Sequence, residues 1–236
     1  RAPIHDMLDG FGLPREAYDS IVSSGDVTVD LVAARGTAPL HHIGPPKDLS
    51  LFETVAERTG EKPPLLPLAQ AEYVVCTGLF DDYGDPEPYM PTLAAMKERD
   101  MPMICANPDI VVHVGDDLLW CAGALAERYA GLGGRVVMAG KPHAIIYEAA
   151  LKEAEAVRGA PFDRAKVLAV GDGLFTDIRG AAAQGFDALF VTSGIHRDLL
   201  HPAAGADDWS VDEAAYRSLL AEAGAAPAAH LRDLAW

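Results

Sequence analysis

Positive charge is scarce in this chain of 236 residues: 19 Lys and Arg stand against 35 Asp and Glu, a formal net charge of −16. A nucleic-acid binder needs basic surface to meet phosphates, so this balance argues against that class. An anionic small molecule would need a local source of positive charge, and a divalent cation is an obvious one. Long apolar runs are also missing. No stretch reaches the roughly eighteen residues of a membrane span, so no transmembrane helix is expected. The opening RAPIHDMLDG shows no basic segment followed by an apolar core, so no signal peptide is visible in it, and it carries no initiator Met. A truncation, a processed end or an undescribed start are the alternatives. Cysteine is sparse: Cys76, Cys105 and Cys121 fall in apolar stretches without CxxC spacing and read as buried, reduced thiols of a cytoplasmic protein. The histidines have no zinc-ligand spacing, and neither an internal repeat nor a long low-complexity segment is present.

Half the residues are hydrophobic and 23% are charged, an ordinary globular composition long enough for one large domain or two modest ones. Apolar periodicity predicts helices over 2–12, 27–35, 49–59, 91–99 and 118–129, and strands over 18–22, 39–43, 73–76, 102–106 and 136–138. Lys62 to Pro67 is a Pro-rich connector, and Asp81 to Pro88 an acidic loop. In the last third, Gly140-Lys141-Pro142 opens a predicted helix through Val157, with Pro142 at its first position and an apolar face of Ile145, Ile146, Ala149, Ala150, Ala154 and Val157. Lys166 to Val170 has the composition of a fully buried strand. Thr176 is placed to cap a helix from Asp177 to Gln184 that Gly185 stops, and Ala188 to Val191 is the next strand. Strands alternating with helices of this length imply βαβ units and a parallel sheet covered on both faces.

Two segments carry the chemistry: AGKPHAIIYEAAL at 139–151 and AKVLAVGDGLFTDIRGAAAQG at 165–185. In open α/β sheets, ligands bind beyond the carboxyl ends of the strands. Asp172 lies just past such an end, and a four-residue loop can fold Asp177 toward the same crevice. Hard carboxylate oxygens suit Mg²⁺, which takes one or two carboxylates and fills its shell with water and substrate phosphate. Lys141, in a loop at a helix start, can reach an anion held over the sheet, where a cation stabilises the charge that grows on a transferring phosphoryl group. Taken singly, each has a plainer reading. Asp177 is a first-turn carboxylate favoured by the helix dipole, Asp172 a turn residue, and Lys141 a solvated charge. The order and placement of all three together favour the functional reading.

The sequence resembles class IIA of the haloacid dehalogenase-like (HAD) superfamily, the branch of p-nitrophenyl phosphatase-like and pyridoxal phosphatase-like enzymes. The resemblance runs through SSGDVT at 23–28, VVCTGL at 74–79, CANPD at 105–109, CAGALA at 121–126, GKPH at 140–143 and GDGLFTDIRGA at 171–181. It implies that Lys141 is the catalytic and phosphate-binding lysine. It makes Asp172 a direct Mg²⁺ ligand and Asp177 a direct or water-mediated one. Asn107 and Asp109 become candidates for substrate binding, although Asn-Pro-Asp alone reads as a turn, and His196 can line the crevice. The implied fold is a Rossmann-like parallel-sheet core, residues 1–25 and 138–236, with an inserted α/β cap domain, residues 26–137. The ending HLRDLAW is similar to the terminus of this branch.

One departure is informative. The superfamily opens with an apolar strand followed by Asp-x-Asp, whose first Asp is the nucleophile and second the acid and base; a Thr or Ser that binds phosphate follows. Neither motif is present in residues 1–236, and Asp81-Asp82 lacks the required spacing. The resemblance places Arg1 just after these motifs, with a strand, helix and strand of roughly 40 residues preceding it. The expected activity is Mg²⁺-dependent hydrolysis of a small phosphomonoester through an aspartyl-phosphate, with these 236 residues inactive by themselves. A non-catalytic metal- or phosphate-binding protein is the alternative, and a receiver-like signalling module a more distant one. The expected partners are a small phosphorylated metabolite and a second copy in a homodimer, with no nucleic acid and no membrane.

Overall fold

The computed structural model describes residues 2–81, 83–114, 117–202 and 210–234. Asp82 of the acidic loop and Trp236 of the terminal segment therefore lie outside the described residues. Helix α1 (Ala2–Gly10) opens the chain. Ser23 then caps α2 (Ser24–Ala33): its hydroxyl accepts from the Asp26 N–H, and the Asp26 carboxylate accepts from the Ser23 N–H. This reciprocal box starts the helix at Ser24 rather than at the expected Val27. Strands and helices follow in alternation: β1 (Leu40–Ile43), α3 (Ser50–Thr59), β2 (Tyr73–Cys76), α4 (Met90–Glu98) and β3 (Pro102–Cys105). A hairpin of β4 (Val111–Val114) and β5 (Asp117–Trp120) precedes α5 (Ala122–Gly131) and β6 (Arg135–Met138). Then come α6 (Ala144–Arg158), β7 (Leu168–Gly171), α7 (Arg179–Ala183), β8 (Asp187–Val191), α8 (Arg197–Leu200), α9 (Glu213–Ala223) and β9 (Ala229–Leu231).

The chain divides into two compact units, Arg1–Ser20 with Lys141–Trp236, and Ile21–Gly140. The second unit is built on a parallel sheet of order β1-β2-β3-β6, in which Ile43, Cys76, Cys105 and Met138 stand side by side. Alternation along the strands loads both faces. Val74, Cys76, Met103 and Cys105 pack on Leu93 and Met96 of α4 and Leu125 and Tyr129 of α5. Tyr73, Val75 and Ile104 pack on Val29 and Val32 of α2 and Phe52 and Val55 of α3. A sheet buried on both sides needs such nearly continuous apolar strands. In the first unit the sheet is β7-β8-β9, also parallel. Its core gathers Leu174, Ile178, Ala181, Phe186, Ala188 and Phe190 against Leu200 of α8 and Leu219 of α9. No helix among the described residues is long and apolar enough to cross a membrane.

Several sequence-based expectations change. Tyr18 to Val22 is not a strand; it has no ladder partner among the described residues and carries the chain from one unit to the other. Leu118 to Trp120 is extended rather than helical, because Asp117–Trp120 pairs with Val111–Val114 and the helix begins only after Cys121. A short apolar run does not by itself distinguish the two states. The Gly-Lys-Pro segment precedes α6 instead of opening it: His143 is the N-cap and Pro142 lies outside. Helix α6 meets the core through Tyr147 and Leu151 and also buries Ile146, while Ala150, Ala154 and Val157 of the expected apolar face are exposed. The strand expected to be fully buried is covered on one face only: Leu168 and Val170 are 55% and 45% exposed, while Ala169 between them packs on the core.

Candidate active site

Strand β7 ends at Gly171 and delivers Asp172 directly to the carboxyl edge of its sheet. The chain then makes a wide, π-type turn over Leu174–Ile178, in which the N–H groups of Asp177 and Ile178 both donate to the Gly173 carbonyl, at 2.8 and 3.1 Å. Such turns are rare and concentrate at functional sites. The turn runs straight into α7, so Thr176 lies inside it and does not cap a helix. The Asp177 carboxylate folds back over the loop. Its Oδ2 accepts from the Gly173 N–H at 3.0 Å, and its Oδ1 pairs with the Lys141 ammonium. The Lys141 side chain is 51% exposed and that of Asp177 12%, so the lysine reaches a largely covered carboxylate from the solvent side. A Cβ on Gly171 would overlap Asp177, which is why a glycine ends this strand.

Asp172 is held differently. Its Oδ2 accepts from the Ile195 N–H at 3.0 Å, and among the described residues its Oδ1 accepts no hydrogen bond. From α6, the Tyr147 hydroxyl donates to the carbonyls of Thr176 and Asp177, both at 3.3 Å, tying the helix after Lys141 to the turn that bears Asp177. Burial pushes the Tyr147 phenol up to about 12, with the Asp177 charge adding to it, so it stays a hydrogen-bond donor. His196 is half-buried beside Phe175 and Phe190, and its Nε2 accepts from the Leu174 N–H at 3.4 Å. Burial lowers its pKa, against an opposing pull from Asp172, which keeps Nε2 an acceptor. Burial, and then Arg179, also lower that of His143.

The structure thus joins Lys141 to Asp177 and sets Asp172 next to the glycine that Asp177 grips. Asn107 and Asp109 belong to the other unit. Asn107 Oδ1 accepts from the Asp109 N–H at 3.1 Å, the turn expected of Asn-Pro-Asp, and the Asp109 carbonyl accepts from the Gly123 N–H at 3.0 Å. Asn107 lines a cavity of about 410 Å³ at the carboxyl edge of that unit's sheet, with Pro45, Lys47, Thr77, Tyr83 and Trp120. Sequence reasoning missed Tyr147, although its hydroxyl is the polar mark on the face that α6 buries. It also missed the Ile195 N–H, a backbone group that no side-chain pattern announces.

Among the described residues no three His, Cys, Asp or Glu side chains gather as a metal-binding group. The donor set nevertheless fits Mg²⁺, which takes one or two carboxylates and otherwise keeps water. Asp172 presents an oxygen without a hydrogen bond, whereas both oxygens of Asp177 are engaged by Gly173 and Lys141.

Comparison with known proteins follows the same lines. A family model described as HAD-hydrolase-like matches residues 138–231. A hydrolase of the haloacid dehalogenase-like family from Brucella suis is 41% identical over 99% of this chain and 79% of its own, with a TM-score of 0.77. The p-nitrophenyl phosphatase of Archaeoglobus fulgidus is similar in fold, with 21% identity over 98% of this chain and 77% of its own and a TM-score of 0.68. The glycerol phosphate phosphatase of Mycobacterium tuberculosis, in complex with calcium, is 25% identical over 78% of this chain and 52% of its own, with a TM-score of 0.54. No curated protein matches the sequence. The match to the Brucella hydrolase, at 41% identity, covers 99% of the chain and so includes both units, and the chain therefore belongs to the haloacid dehalogenase-like hydrolase family.

Proposed function

We propose that this chain carries the lysine and metal-binding half of a class IIA phosphatase that hydrolyses a small phosphomonoester with Mg²⁺. The observation that carries the reading is the Lys141–Asp177 pair on a loop where Asp172 keeps an open carboxylate oxygen. In this reading the unit with Lys141 is the catalytic core and Ile21–Gly140 is the cap. Lys141 exchanges part of its contact with Asp177 for a phosphoryl oxygen and balances its charge. Asp172 would hold the cation through Oδ1, and Asp177 would hold Lys141 and a metal-bound water. Bound Mg²⁺ would supply charge neutralisation at the phosphoryl oxygens. Tyr147 and His196 keep the loop in place through Thr176, Asp177 and Leu174. Asn107 and Asp109 are proposed for the substrate's organic part. Support for a metal comes from relatives: the mycobacterial phosphatase is known in complex with calcium and with magnesium.

Nucleophile and acid/base are assigned to an Asp-x-Asp strand that residues 1–236 do not contain. Among the described residues one edge of β7 pairs with no strand, and it offers such a strand a ladder. Cys76, Cys105 and Cys121 are buried and form no disulfide among the described residues, which fits a cytoplasmic location. The absence of Asp-x-Asp also keeps a second reading, a metal- or phosphate-binding protein without turnover. Assaying p-nitrophenyl phosphate with Mg²⁺ separates them. The reading expects turnover from a form carrying the Asp-x-Asp strand and none from residues 1–236. Chelator-sensitive turnover by residues 1–236 would mean that the nucleophile lies within them, and inactivity of the longer form would leave the binding protein.

A further inference from the structure

The turn after β8 is pinned on both sides. The Thr192 N–H donates to the Leu231 carbonyl at 2.9 Å, and the Ser193 N–H to the Arg232 carbonyl at 3.1 Å. The Thr192 hydroxyl meets the buried His201 ring at 3.0 Å. Beyond the turn, the Arg197 N–H donates to the Gly194 carbonyl at 2.9 Å. Between these anchors lies Gly194, and its lack of a side chain has a local cause. Its φ is not among the positive values of the chain, so the backbone conformation does not demand glycine. Space does: a Cβ built on Gly194 would overlap the Cβ, Cγ and Oδ2 of Asp172. Asp172 lies against the bare Cα, and the next residue's N–H, that of Ile195, holds its Oδ2 at 3.0 Å.

We infer that Gly194 is a positioning residue for Asp172, setting that carboxylate so that it offers Oδ1 alone to a cation. The inference rests on the proposed role of Asp172 as a magnesium ligand. A side chain at 194 must push Asp172 off the Ile195 N–H or displace a turn tied to β9. Either movement misaims the ligand, an outer-layer fault of the kind that costs about 10–100-fold in metal affinity. By contrast, Gly131, at the end of α5, has no atom within 4 Å of an added Cβ and serves as a control.

The test is calorimetric titration of Mg²⁺ alone into the full-length protein, its Gly194→Ala variant and its Gly131→Ala variant. Gly194→Ala is expected to bind Mg²⁺ at least about tenfold more weakly, and Gly131→Ala like the parent. A Gly194→Ala protein that melts earlier but binds Mg²⁺ as the parent does would overturn the inference, because a merely structural glycine behaves that way. A parent that binds no Mg²⁺ would sink the metal reading itself, which is a distinct result. Should Gly194→Ala fail to fold, the parent still decides. The Ile195 amide resonance should shift as Mg²⁺ saturates the site, and its hydrogen exchange should accelerate in Asp172→Asn. An Ile195 amide indifferent to both refutes the assignment.

Discussion

Replacing each acidic residue of the loop by its amide should produce two losses that rank in opposite orders. Asp177 has both oxygens engaged, one by Lys141 and one by the Gly173 N–H, whereas among the described residues Asp172 has only Oδ2 engaged, by the Ile195 N–H. Asp172→Asn removes charge from the one oxygen open to a cation. Asp177→Asn leaves that oxygen in place and disturbs Lys141 and a water. The second kind of change costs about 10–100-fold in metal affinity, or about 1.4–2.7 kcal/mol, and loss of a direct ligand should exceed it. Without metal the order reverses. Asp177→Asn loses an ion pair to a half-exposed lysine, worth up to about 1 kcal/mol, and turns a charge-assisted bond from Gly173 into a neutral one, about 1 kcal/mol more. Asp172→Asn loses only the second kind of contribution, about 1 kcal/mol. Mg²⁺ titration of activity in the full-length protein measures the first ranking, and thermal melts in chelator the second. Equal metal losses, or a larger one for Asp177→Asn, would refute the division of roles.

Other outcomes follow from the cores and the histidines. Phe52 is fully buried between the sheet of its unit and α3, so Phe52→Ala should cost about 3–5 kcal/mol in denaturant unfolding. Ser23→Ala removes the hydroxyl half of the α2 capping box and should cost about 1 kcal/mol, read from the same curves. Burial lowers the pKa of His42, His143 and His196, so the unfolded chain takes up protons at a higher pH than the folded one. Their contribution to stability is complete above about pH 6.5 and is lost as the pH falls below it. The melting temperature should therefore drop between about pH 7.5 and 5.5, less steeply in His42→Gln; an unchanged slope in that variant would remove His42 from the account.

The sequence by itself determined most of the architecture. Strand β2 was legible to the residue, because Tyr73–Cys76 is apolar on both faces and bounded by polar turns. The α/β class followed from the alternation of such strands with amphipathic helices. The place of Asp172 in a loop just past the end of a strand was legible as well, since strand ends and glycines mark where a parallel sheet presents its residues. Periodicity reports only which side chains prefer burial, and it misled where pairing between distant segments decides the state. Asp117–Trp120 became a strand because Val111–Val114 offers a partner, and Tyr18 to Val22 did not because no described residue pairs with it. Strand β7 is apolar enough for a sheet interior, yet the described residues cover only one of its faces and leave Leu168 and Val170 exposed on the other. The site shows the same division. Lys141, Asp172 and Asp177 are visible as residue types in a motif. That Lys141 grips Asp177, that Tyr147 ties their segments together and that Gly194 leaves room for Asp172 depend on chain brought close from far along the sequence. Only the packed tertiary structure decides such contacts.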